Sequence, residues 1–177
     1  MTEFRRLLLG VFVGWLLAVT ASAAIASACF ASSARRLLKV HFLFAFHHPL
    51  SEAASIWLTN SRASLGVSGC VLAIAFMERI APARRRRDRL PFWLCDLILV
   101  VMAVRTAALA GLLIGAYGTM QLHAFLPDGP VELLAWALLG CIYIQVRRRR
   151  IGLRDCAIGL VVVELLLVIA ALLEALL

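Results

Sequence analysis

The sequence predicts an all-α polytopic membrane protein: a single integral helical bundle over residues 1–177, with about five spans. Three observations predict it. Hydrophobic residues make up 63% of the 177 positions. The mean hydropathy is +0.96, far above that of soluble chains. Charged residues, only 16%, fall mostly between long apolar runs, so too little polar surface remains to cover a soluble core of this size.

The elements follow in order. Apolar segments run over Leu7–Ala31, Ala53–Ile80, Phe92–Leu122, Val131–Val146 and Asp155–Leu176. The fourth is the shortest and opens on Asp128-Gly129-Pro130, a turn signal followed by a residue suited to a first helical turn. Arg5-Arg6 and a small-residue stretch before Cys29 resemble a signal segment, with a faint lipobox; the expectation is a retained first helix. Residues 32–50, with Arg35, Arg36 and Lys39 before a Phe-rich run, are too charged at their start for a sixth span. An interfacial helix and a re-entrant segment both fit.

Basic residues set the orientation. Arg5, Arg6, Arg79, Arg84 to Arg87, Arg89, Arg147 to Arg150 and Arg154 fall on one side of a five-span chain. They are thirteen of the eighteen basic residues. The positive-inside rule therefore predicts a cytoplasmic N-terminus and an extracytoplasmic C-terminus, in the cytoplasmic (inner) membrane. The formal net charge of +8 is read as loop anchoring, not nucleic-acid binding. The runs Arg84–Arg87 and Arg147–Arg150 are candidate contacts for anionic lipids.

No cofactor, metal site or catalytic set is expected. The five cysteines, Cys29, Cys70, Cys95, Cys141 and Cys156, form no CxxC and read as small buried hydrophobes. His41, His47, His48 and His123 lack a further convergent ligand at readable spacing.

Polar residues inside the spans carry the functional signal. Asn60 and Arg62 lie in the second span, Arg105 near the middle of the third, Glu132 at the head of the fourth and Glu164 near the middle of the fifth. Intramembrane charges are costly and call for partners. Arg105 with Glu164, and Arg62 with Glu132 by way of Asn60, are the expected pairs. Small residues mark expected close helix contacts at Gly10, Gly14, Gly66, Ala107, Gly111 and Gly115. Spacing alone leaves open whether the neighbour is the same chain or another.

Two motifs bear a resemblance. IWLTNSRASL (56–65) and LPDGPVELLAWALLG (126–140) resemble two landmarks of the stage II sporulation protein M family. Asn60 and Arg62 match the first; Leu126, Pro127, Gly129, Glu132 and Leu133 match the second. Asp128 stands where that family usually has a histidine, and Thr59 where it often has an asparagine. The resemblance implies an integral membrane protein that accompanies other membrane proteins. The expected function is thus a non-catalytic scaffold or accessory subunit, partnered by other integral membrane proteins or by itself. The alternative is a small permease with a polar path near Arg105 and Glu164.

Overall fold

The computed structural model describes residues 2–38, 49–80 and 90–176. Everything described is helix or short turn: α1 (Thr2–Ile25), a π-helical stretch (Ala26–Phe30), α2 (Ala31–Leu38), α3 (Pro49–Ile80), α4 (Leu90–Tyr117), α5 (Thr119–Phe125), α6 (Gly129–Arg147) and α7 (Leu153–Leu176). Five helices are long and apolar enough to cross a membrane. They cover Glu3–Ser33, Ala53–Met77, Phe92–Tyr117, Gly129–Arg147 and Leu153–Leu176.

One boundary differs from the sequence reading. The third segment was expected to run to Leu122, but α4 stops at Tyr117. Gly118 adopts φ +62, and its N–H bonds back to the Ile114 carbonyl at 2.7 Å. Glycine enters that left-handed conformation without a side-chain clash, so the helix ends there and α5 restarts beyond it. Of the segment 32–50, read as an interfacial helix or a re-entrant segment, the first part is α2, joined to α1 through the π-helical stretch, and residues 39–48 lie outside the described residues. Arg35 Nε donates to the Ala116 carbonyl in the last turn of α4, where helix carbonyls lack partners of their own.

The shortest span is the core. Six-tenths of α6 is buried, against about a tenth of α4 and less of α1. α7, α1 and α3 pack around α6, while α4 lies on α1 and more lightly on α3. Leu139, Ile142 and Tyr143 of α6 meet Val71 and Ile74 of α3 and Cys156, Val163 and Leu167 of α7.

The closest backbone approach joins α1 to α4. A Cβ added at Gly111 would sit 2.6 Å from the Val19 carbonyl oxygen, and one at Gly115 would sit 2.7 Å from Ala26 Cβ. Together with buried Ala107, these positions let the two helices meet backbone to backbone. Gly10, Gly14 and Gly66, the other small residues expected at contacts, have open space where a side chain would lie.

Candidate functional site

The site is a set of charges at matched depth in the bundle, and helical geometry decides which way each faces. On α3, Ser61, Ser64, Ser68 and Val71 recur at spacings of three and four and are buried. Arg62 is rotated about 100° from Ser61 and about 160° from Ser64, so it leaves that face and is exposed. Asn60, on the other flank, is half-buried. On α4 the inward side carries Phe92, Cys95, Ala107 and Gly111. Arg105 faces outward with Val101, Val104 and Leu109.

Depth follows from the helical rise. Arg105 is ~20 Å from one end of its apolar span and ~18 Å from the other. Glu164 is ~17 Å and ~18 Å from the ends of its own. Arg62 is ~14 Å from Ala53 and ~22 Å from Met77. Arg105 and Glu164 lie near the middle of their spans, while Arg62 lies nearer one end, within snorkelling reach of it.

They do not pair. Glu164 turns into the seam between α7 and α3. Ser61 Oγ donates to Glu164 Oε2 at 2.7 Å, and Ser64 Oγ donates to Glu164 Oε1. The expected Arg105–Glu164 pair is therefore corrected. α4 packs on α1, not on α7, so Arg105 points away from the bundle while Glu164 points into it. The expected Arg62–Glu132 pair fails for a similar reason: Glu132 accepts from its own helix, from Trp136 Nε1 at 3.2 Å, and Arg62 faces outward. Among the described residues, neither Arg62 nor Arg105 has a hydrogen-bond or ion-pair partner.

A second polar site, which the sequence reading missed, joins α4 to α6 where α6 ends. Asp96 Oδ2 sits 2.9 Å from Arg147 Nη2, and Arg147 Nε donates to Asp96 Oδ1 at 3.1 Å. Tyr143 Oη donates to the same Oδ1, and the Arg147 guanidinium lies 4.9 Å from the Phe92 ring centre. The signal was available: Asp96 is in the second turn of one span and Arg147 in the last turn of its antiparallel neighbour. Nearby, Arg150 pairs with Glu3, tying the start of α1 to the α6–α7 turn. Two of the four arginines in the Arg147–Arg150 run are thus held by carboxylates. Arg84 to Arg87 lie outside the described residues.

At the other end of α6, Asp128 is 6% exposed and its Oδ1 has no hydrogen-bond partner among the described residues. Burial, helped by the nearby Glu132 charge, pushes its carboxyl up to about 6.

Chemically, these groups can hold or repel charge within the membrane. Among the described residues, no group of three or more His, Cys, Asp or Glu is placed to bind a metal ion. No protein-family profile, curated protein or solved structure matches this chain.

Proposed function

We propose that the protein is a non-catalytic subunit of a larger membrane assembly, set in the cytoplasmic membrane with its arginine-rich end inward. One observation carries this reading: Arg62 and Arg105 are exposed at membrane depth with no partner among the described residues. An arginine near the bilayer centre costs about 3 kcal/mol on insertion scales and more on an isolated helix. A neighbouring polypeptide that covers both guanidinium groups would remove most of that cost. The resemblance of the Asn60–Arg62 and Leu126–Leu133 motifs to the stage II sporulation protein M family supports the same reading. The basic runs support the orientation, and exposed Arg148 suits an anionic headgroup.

The transport alternative rested on Arg105 and Glu164 lining one polar path. Their opposite orientations remove that support, and no other observation favours it.

The test is photocrosslinking in intact cells from a benzophenone side chain at Ala108, on the outward face of α4 beside Arg105. A control at Leu139, in the core, should give no intermolecular product. A discrete adduct from position 108 alone is expected. A chain that gives no adduct from either position, and that carries solute across liposomes as a lone protomer, would reject the subunit reading.

A further inference from the structure

The two outward arginines also specify the chemistry of what covers them. We propose that the outward faces of α3 and α4 dock a membrane-spanning helix of a different protein, one carrying carboxylate side chains near mid-depth. The inference rests on the subunit reading and adds the partner's charge and the exclusion of a second copy.

The surface is apolar around Arg105 and largely apolar around Arg62, where exposed Thr59 bonds back to the Ser55 carbonyl. Leu58 and Leu65 flank Arg62, and Val101, Val104 and Leu109 flank Arg105. Gly66, one turn from Arg62, has nothing within 4 Å of where a Cβ would be, so a facing backbone can come close. An apolar surface with a buried-depth cation fits an apolar helix with a matching anion. At the mid-span depth of Arg105 water is scarce, so an ion pair there is screened far less than at the membrane surface.

A second copy of this chain does not supply the anion. Asp96 is held by Arg147 and Tyr143 at one end of the bundle, and Asp128 lies in the turn before α6 at the other. Glu132 follows one turn into α6 and is bonded to Trp136. Among the described carboxylates, Glu164 alone lies at the mid-span depth of Arg105, and it is occupied by Ser61 and Ser64 inside the α3–α7 seam. A symmetric dimer about an axis normal to the membrane would also set matching positions at equal depth, placing arginine against arginine on a shared α3 or α4 face. Among the described residues no free carboxylate lies at that depth, so the proposed carboxylate comes from another chain.

The experiment uses the full chain in liposomes of neutral lipid and synthetic probe helices. Each probe is a twenty-residue leucine-alanine helix with lysine flanks. The three versions carry a central glutamate, glutamine or leucine, and association is followed by energy transfer at pH 8. The glutamate helix should associate about tenfold more tightly than the leucine helix, with the glutamine helix between them. Arg105→Leu and Arg62→Leu should each reduce that preference, and the double variant should remove it. Arg105→Lys should keep it, which separates lost charge from lost folding. Equal association of the three probes with the wild-type chain would overturn the proposal without recourse to any variant. So would a preference that survives in the double variant. If position 108 crosslinks in cells while the three probes bind alike, the subunit reading stands and the carboxylate partner falls. If position 108 gives no adduct and the three probes bind alike, both fall.

Discussion

Arginine is treated in two ways in this bundle. Arg147, at the end of α6, has a two-point carboxylate partner in Asp96, a phenol bonded to that same carboxylate and an aromatic face at 4.9 Å. Arg62 and Arg105 are placed deeper, where solvation is scarcer, and among the described residues have none of these. The fold can build a satisfied arginine site, so its absence at mid-depth reflects which way the helices face. The packing faces of α3 and α4 are consumed by α7, α6 and α1. The arginines lie on what is left. A part of the molecule that is complete by itself thus sits beside a part that calls for a neighbour.

The sharpest way to break this contrast is to remove one charge from each site. Asp96→Ala strips Arg147 of its carboxylate and Tyr143 of its acceptor, in a site about one-third exposed. It should destabilise the purified chain by about 2–3 kcal/mol, read by thermal or denaturant unfolding in detergent micelles. Removing both partners, as Asp96→Leu with Arg147→Leu, should cost less than the single change, because no charge is then stranded. Arg105→Leu should act with the opposite sign. The isolated chain should be unchanged or stabilised by up to about 2 kcal/mol in lipid, while crosslinking from position 108 weakens. If Arg105→Leu destabilises the isolated chain as Asp96→Ala does, Arg105 has an intrachain role and the contrast is wrong.

The same contrast explains what was legible in the sequence. The five spans were readable because hydropathy and length report membrane crossing directly. Exposed faces were less so. Arg105 and Glu164 were matched by depth, which linear position gives, but their orientation depends on which helices are neighbours. That α4 would pack on α1, with Gly111 and Gly115 against its backbone, is a tertiary fact that periodicity within α4 cannot supply. The small-residue stripe was visible while its neighbour was not. Asp96 was passed over because it sits near a span end, where a carboxylate alone raises no alarm. Only the antiparallel placing of α4 against the end of α6 brings Arg147 to it. The break at Gly118 hid inside an apolar run that continues past it, since hydropathy does not register a backbone turn.

A smaller effect tests the end of α6 opposite Arg147. Burial raises the Asp128 carboxyl from 3.8 to about 6, so the folded chain holds a proton that the unfolded chain has already released. Stability should therefore be greatest below about pH 4, fall as pH rises toward about 6 and level off above it. With allowance for relaxation around the turn, the loss should be about 1–2 kcal/mol. Asp128→Asn should flatten the unfolding profile across that window. A slope that persists unchanged in Asp128→Asn belongs to another group.

The smallest expected effect bears most directly on whether Glu164 is a site complete in itself. Its two carboxylate oxygens accept from Ser61 and Ser64, and no cation faces them among the described residues. Glutamine has nearly the same shape. Its carbonyl can accept from one serine hydroxyl and its amide can donate to the other, because a hydroxyl both gives and takes a hydrogen bond. Glu164→Gln should thus shift unfolding by no more than about 1 kcal/mol. Glu164→Leu should cost more, since both hydroxyls lose their acceptor in a buried seam, although Ser64 retains the Ser61 carbonyl at 3.1 Å. A double-mutant cycle of Glu164→Gln with Arg105→Leu should be additive within about 0.5 kcal/mol, as for groups that share no partner. A clear coupling would restore the Arg105–Glu164 pair and bring back the shared polar path. Additivity leaves Arg105 as a charge whose partner lies outside the chain.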